Sequence, residues 1–492
     1  MALSGLEEPL ESLGLNGDVK ESTEERKPAN MGSVRAVGET AADSQKDGGA
    51  AGSSGVIADF VTMGMFIIDE IEYLPPKPPV RDILGGGGAY AALGARLFSP
   101  APDLSRTVGW VVDKGSDFPE PMGDLIGSWK TAVIMRSDPD RLTTRGWNGY
   151  DEAERRAFKY MTPKKRLTAE DLPPSLLTAR AFHILSSASR CRDLVEHIKS
   201  RRRKAIAALG GPDAAATAGI ISRPYFIWEP VPDRCTPDEL LDCTNTLPVV
   251  DVCSPNHTEL AAYMGDPHKG MDPETGKLSK AAVERACEQL LSAMPLQSYA
   301  LVVRAAEHGC YVAKNGGRRY LRSDKSTESK KEEAAPKKAA PKQDLHGGLR
   351  PDIDMEALFA GLMQTEEGSI ARDEVEISGG FEVWIPAASG EAAETEGGNA
   401  TEDAPSKKLH VVDPTGGGNS FLGGFTVAIA RGKSLDEAAA WGNVAASFAI
   451  EQVGVPVLGE DDDGNETWNG VRVEDRYAVY ESLLRQKGIL KE

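Results

Sequence analysis

Leu409-His410-Val411-Val412-Asp413-Pro414-Thr415-Gly416-Gly417-Gly418-Asn419-Ser420-Phe421-Leu422-Gly423-Gly424-Phe425 is the stretch on which the fold turns. Its apolar start reads as a strand near 409–412 that ends at Asp413. Three glycines follow, and a helix-forming segment begins after them. Backbone N–H groups at a helix start, with no side chains in the way, make an anion site. The other reading is a tight strand–helix turn that needs glycine only for positive φ; three glycines in a row at that junction favour the anion site. No Gly-Lys-Ser/Thr follows, so this is not a Walker A loop.

Upstream, strand and helix signals alternate. The apolar run Ala58–Ile68 reads as a buried first strand ended by Asp69. Pro75-Pro76-Lys77-Pro78-Pro79 fits neither a helix nor a central strand. Gly85-Gly86-Gly87-Gly88 then runs into a small-residue helix through Leu97. Further strands are expected near 106–112, 130–136, 180–186, 223–228, 248–253, 299–304 and 309–314. Helices are expected near 116–129, 150–160, 190–208, 257–264, 279–293, 418–431 and 434–451. This alternation implies an α/β domain with a mainly parallel central sheet. There is no internal repeat.

The chain has 492 residues and carries 56 Lys and Arg against 75 Asp and Glu, a net charge of −19. Residues 1–57 read as a disordered N-terminal tail. Residues 323–348 and 389–408 read as low-complexity insertions into one domain spanning 58–492. With the acidic run Glu460–Glu466, these segments hold most of the negative charge, so the folded part is only mildly acidic. That argues against nucleic acid or an anionic membrane as main partner, because either needs a basic surface. Arg201-Arg202-Arg203-Lys204 reads as a solvated helix end favoured by the dipole. No run of about 18 apolar residues exists. Glu7, Glu8 and Glu11 stand where a signal peptide needs cations. The six cysteines have no CxxC spacing and read as reduced thiols of a cytoplasmic chain, with the nucleus left open. The seven histidines show no metal-site pairing.

Asp-x-Thr-Gly-x-Gly-x-x-Phe-x-x-Gly-Phe over 413–425 resembles the second signature of the ribokinase-like (PfkB) carbohydrate kinases, and residues 85–97 resemble their first. The resemblance covers most of 58–458. The Asp-Pro-Thr-Gly-Gly-Gly-Asn variant, Thr143-Thr144-Arg145-Gly146-Trp147-Asn148 and the polar inserts resemble the fungal maintenance-of-killer branch. The family resemblance implies a three-layer α/β/α domain with a small lid. It further implies a phosphotransferase using ATP and Mg²⁺ on a sugar, nucleoside or related alcohol, and a homodimer is compatible with it.

The resemblance places Gly416, Gly417 and Gly418 around the transferred phosphoryl group. The family's base is an Asp after the last glycine; here that position is Asn419. An amide cannot take up the hydroxyl proton at neutral pH, and a positioned base is worth about 10²–10⁴-fold. Phosphoryl transfer nevertheless relies mainly on positioning and charge neutralisation. A slow kinase, a kinase with another base, and a catalytically inactive sugar or nucleotide binder all follow as readings. Asp413 is either a substitute base or the residue that fixes the turn, and Asn419 can equally satisfy local N–H groups.

By the same resemblance, Asn256 and Glu259 of Asn-x-x-Glu position phosphate and Mg²⁺, although that spacing is also a capping box. Asp69, Gly86, Gly87 and Tyr90 would meet the sugar, with Tyr90 where the family often has Asn. Arg145 lies in a donor-and-aromatic cluster suited to a hydroxyl-rich ligand or to a structured surface loop. Arg304, Gly309, Asp413, Thr415 and Asn443 fall on the nucleotide side; Arg304 and Ala306 replace the family's usual Thr and Gly. A dehydrogenase is the remote alternative. Gly86-Gly87-Gly88-Ala89-Tyr90-Ala91 satisfies GxGxxA with Asp113 following, but Pro75–Pro79 stands where the required buried strand should be.

Overall fold

The apolar run after residue 57 builds two strands in two different sheets, not one. β1 (Phe60–Thr62) enters the central sheet; the chain then leaves it, and β2 (Ile67–Glu72) belongs to a separate small sheet. Asp69 therefore sits inside a strand and does not end one. The run is continuous in sequence because burial, which sets apolar content, is the same on both sides of the crossing. These are findings from the computed structural model, which describes residues 56–150, 156–320, 375–378, 380–388 and 411–490. Residues 1–55 and the insertions expected at 323–348 and 389–408 lie outside those residues.

After β2 the chain turns back as β3 (Val80–Gly85), which pairs antiparallel with it and leads into the helix Gly87–Leu97. β4 (Val108–Lys114), β5 (Ala132–Ser137), β6 (Arg145–Tyr150) and β7 (Arg156–Tyr160) follow. β6 and β7 pair antiparallel where a helix near 150–160 was expected. The stretch is short and its ladder partner lies just upstream, so pairing overrides helix propensity. β3-β2-β6-β7 form a four-stranded lid.

β8 (Ala181–Ser186), β9 (Tyr225–Pro230), β10 (Val252–Cys253), β11 (Ala300–Arg304) and β12 (Cys310–Lys314) return to the central sheet. β13 (Gly317–Tyr320) and β14 (Val375–Ser378) pair only with each other, and β15 (Phe381–Ile385) closes the edge. The nine-stranded order is β15-β12-β11-β10-β9-β8-β1-β4-β5. Every pairing in it is parallel except β11 with β12 and β12 with β15.

The two faces of this sheet carry separate cores because side chains alternate along each strand. Phe60, Trp110 and Ala181 pack on one side with the helices Gly87–Leu97, Gly417–Ala430, Leu435–Ala449 and Val473–Gln486. Their neighbours Val61, Val111 and Phe182 pack on the other with Ala188–Ala208, His257–Tyr263 and Lys280–Ala293. This is a three-layer α/β/α arrangement. The GxGxxA segment follows an antiparallel lid strand, and Asp113 is held by Arg136 (2.8 and 2.7 Å). A dinucleotide fingerprint has neither feature.

Two smaller expectations change. Val411 and Val412 are exposed and irregular, because the N–H groups of Val412 and Asp413 go to the Ile450 carbonyl at a helix end and not to a strand; 409–410 lie outside the described residues. In the basic run 201–204, Arg202 is buried and donates to the carbonyls of Leu177, Ala179 and Ile221. All six cysteines are buried free thiols. No helix among the described residues is long and apolar enough to cross a membrane.

Candidate active site

The parallel strands end on one side of the sheet. In such sheets ligands bind outside the carboxyl ends, where the winding of the chain reverses. Here that point lies between β1 and β8, and five polar side chains meet around it, those of Thr62, His183 and Glu229 buried and those of Arg304 and Asn419 partly buried. Thr62 Oγ1 lies 3.0 Å from His183 Nδ1, and His183 Nε2 lies 3.0 Å from Glu229 Oε2. The same Glu229 oxygen accepts from Asn419 Nδ2 at 2.8 Å. Glu229 Oε1 meets Arg304 Nη1 at 2.6 Å.

Asn419 reaches this cluster because the glycines before it bring the helix Gly417–Ala430 in close. Gly416 adopts a left-handed φ of 80° and no side chain caps the helix. A Cβ at Gly416 would collide with the Tyr90 ring, and one at Gly418 with Arg304 Nη1. The first-turn N–H groups of a helix have no intrahelical acceptors. That of Gly417 returns to Pro414 O (3.2 Å), and the glycine surface beyond it faces the Arg304 guanidinium. A cation beside a helix N-terminus is unfavourable unless anions accompany it. Glu229 and Glu259 are two such anions, and a phosphate would be a third.

Glu259 lies 3.5 Å from Arg304 Nη2, on the other side of the guanidinium. It forms a capping box with Asn256: Glu259 N–H donates to Asn256 Oδ1 (2.8 Å) and Asn256 N–H donates to Glu259 Oε2 (2.7 Å). The two carboxylates differ in acidity. Burial pushes Glu259 up to about 6, and Arg304 and the Asn256 N–H offset that only in part. Burial also raises Glu229, but the closer Arg304, with His183 and Asn419 donating, outweighs it and holds the group below the ordinary carboxylate range.

The first glycine turn completes the site. A Cβ at Gly87 would lie 3.1 Å from Asn419 Nδ2, so the two sequence signatures touch at this point. Gly86, at φ 86°, precedes the helix, and Ser420 Oγ donates to the Tyr90 carbonyl (3.1 Å). In the lid, Asp69 sits in a slot left by Gly85 and Gly146 and accepts from Asn148 Nδ2 at 3.3 Å.

The remaining predicted residues have other neighbours. Arg145 stands on a lid strand, not in a surface loop, and is engaged by Asp117 (2.6 Å), Asp82 (2.9 Å) and Glu70 (3.4 Å). Asp413 accepts from the Thr415 N–H (2.9 Å), which fixes the turn. Asn443 is buried and donates to Pro386 O and Tyr480 Oη, both at 3.0 Å. Gly309 supplies a φ of 80° between β11 and β12. No group of three His, Cys, Asp or Glu side chains among the described residues could hold a metal unaided.

Glu229, His183 and Thr62 are not among the residues that the sequence motifs single out. The signal was present only for Glu229: a carboxylate in Trp-Glu-Pro at the end of an apolar strand, where the topology rule puts ligands.

Residues 389–458 match the model of the pfkB family carbohydrate kinases. Over 441 residues the chain is 30% identical to protein MAK32 of Saccharomyces cerevisiae, spanning 87% of this chain and 93% of that one. Over 427 residues it is 28% identical to an uncharacterized protein of Schizosaccharomyces pombe, with the same coverage of 87% and 93%. Among solved structures, ribokinase of Giardia lamblia aligns with 81% of this chain and 95% of its own at 16% identity, with a TM-score of 0.47. The chain belongs to the pfkB carbohydrate kinase family.

Proposed function

We propose that this protein transfers the γ-phosphoryl group of ATP to an alcohol of a sugar, nucleoside or related compound. The observation that carries the reading is the uncapped glycine start of the helix Gly417–Ala430, facing the part-buried Arg304 guanidinium and touching the first glycine turn. An uncapped helix N-terminus beside a part-buried cation suits a phosphoryl group carrying charge on its outer oxygens. The lid residue Asp69 and the turn at Gly86 and Gly87 would border the acceptor alcohol.

In the reaction, the alcohol oxygen forms a bond to the γ-phosphorus while the bond to the β,γ-bridging oxygen breaks, and ADP leaves with that electron pair. Asn419 Oδ1 accepts a hydrogen bond from the attacking hydroxyl but not its proton. In a loose transition state the proton leaves late, and it passes to an oxygen of the transferred phosphoryl group and then to water. Arg304 and the glycine N–H groups hold the charge on the outer oxygens. Glu259 is the carboxylate available to a Mg²⁺ ion, which commonly takes one or two carboxylates together with phosphates and waters. Bound there, the ion would neutralise phosphate charge.

Asn419 favours a second reading, in which the site binds sugar or nucleotide without transfer. Calorimetry with ATP, ADP and a panel of sugars and nucleosides tests both, since a chain that binds none of them does neither. Single-turnover assays with γ-labelled ATP then separate them. A labelled phosphoester of a bound alcohol supports the kinase; binding without any transfer supports the sensor.

A further inference from the structure

The Asn419 position looks like a catalytic Asp that has lost its charge, but its surroundings say otherwise. Glu229 Oε2 stands 2.8 Å from Asn419 Nδ2, and Glu229 is 4% exposed. A carboxylate only accepts, so the Asn419 atom facing it must be the NH₂, and the carbonyl Oδ1 is turned away from Glu229.

We propose that Glu229 and Asn419 form one amide–carboxylate couple in which Glu229 is a positioning residue. It aims Asn419 Oδ1 at the acceptor hydroxyl and keeps the couple's single negative charge on β9. The inference rests on the phosphotransferase reading only for its catalytic part.

The groups facing Glu229 make that charge placement stable. His183 lies against it from β8 and Arg304 from β11, with Glu259 of the helix His257–Tyr263 on the far side of Arg304. Behind His183, Thr62 Oγ1 also accepts the Gly64 N–H (3.0 Å), and Gly64 lies directly under Gly88 of the first glycine turn. Both Glu229 oxygens are thus held by neighbours on three separate elements, β8, β11 and the helix Gly417–Ala430. Restoring the family's Asp at 419 would put a second carboxylate against Glu229, and two carboxylates at that separation cannot both ionise. Asn419 is therefore the partner that a strand-borne Glu229 requires, and not a defect that a single change repairs.

Three variants of the full chain test this: Asn419→Asp, Glu229→Gln, and the two together, which exchange amide and carboxylate while conserving charge. In the exchange, His183 keeps its hydrogen bonds to Thr62 and residue 229 by reversing which ring nitrogen donates. In Asn419→Asp one carboxyl of the pair has a folded pKa raised above its unfolded value. The folded chain then binds more protons than the unfolded one between those values, so stability falls as pH rises. Its Tm should match wild type within about 1 °C at pH 5 and lie about 5 °C lower at pH 8. The double variant should recover most of that loss. In single-turnover phosphotransfer at pH 8, Asn419→Asp should show no gain, Glu229→Gln should lose about tenfold or more, and the double variant should exceed Asn419→Asp about tenfold. A pH-independent Tm for Asn419→Asp, or a gain of about 10²-fold with Glu229 intact, overturns the proposal. If no chain transfers phosphate to any bound alcohol, the phosphotransferase reading fails. The Tm comparison then decides the couple by itself.

Discussion

Two helices begin beside the Arg304 guanidinium, and their starts are built in opposite ways. His257–Tyr263 opens with a reciprocal box, in which Asn256 and Glu259 satisfy each other's backbone N–H groups. Gly417–Ala430 opens on three glycines with no side-chain cap at all. The first start supplies its own hydrogen-bond acceptors; the second leaves first-turn donors for something outside the helix. The contrast divides a motif that local helix chemistry explains from one that it does not. Asn-x-x-Glu takes on a second role only because Glu259 is buried against Arg304. The glycines admit the left-handed turn at 416 and the close approach of Tyr90 and Arg304, at a cost in backbone entropy, and they leave first-turn donors open to a ligand.

The guanidinium that joins the two starts should carry the largest effect. Arg304→Met strands Glu229 and Glu259 as buried carboxylates without their cation, at a cost of about 3–5 kcal/mol. The loss should be greater at pH 8 than at pH 5, where protonation relieves them. Denaturant unfolding at both pH values measures it, and a cost under about 1 kcal/mol at pH 8 would mean that the bridge contributes little.

Gly418→Ala acts on the uncapped start and on the guanidinium packed against it, since its Cβ would displace Arg304. Phosphotransfer should fall about 10²-fold, the scale of losing one charge-stabilising donor. Equal activity in a single-turnover assay would remove the glycine surface from the mechanism.

Glu259 sharpens the other side through pH. Its folded value of about 6 lies above its ordinary 4.5, so the folded chain holds the proton more tightly than the unfolded one. Its unfavourable contribution is absent below about 4.5 and grows to about 2 kcal/mol as pH rises through 6. Glu259→Gln should flatten that part of the stability–pH curve, and an unchanged slope would assign the pH dependence elsewhere.

The smallest effect belongs to the box itself. Asn256→Ala should cost about 1 kcal/mol. Amide exchange should quicken in residues 257–263 while the helix 417–430 keeps its protection. Exchange that quickens equally in both would show that the two starts are one cooperative unit.

How much of this was legible before the fold depended on how local each feature is. The glycine-to-helix junction at 416–418 and the capping spacing at 256–259 were readable because each is a matter of three or four consecutive residues. The central strands at 180–186, 299–304 and 309–314 were readable from apolar runs of strand length. The crossing inside 58–72 was not, because a lid strand and a core strand are equally apolar when both are covered. Nor was β7, whose place is set by pairing with β6. Arg145 and Asn443 drew notice as polar residues near motifs, yet both are engaged by protein groups that only the folded chain brings to them.

By itself, the order of residues determined the α/β class, the two glycine turns, the capping box and the amide at 419, because strand period, helix capping and glycine's freedom act over a few positions. Only the tertiary structure decided what that amide means. Asn419 and Glu229 lie 190 positions apart, and Arg304 reaches both the glycine start and the Asn-x-x-Glu box. A charge on one strand can set the chemistry of a distant helix start only once burial has removed the water between them.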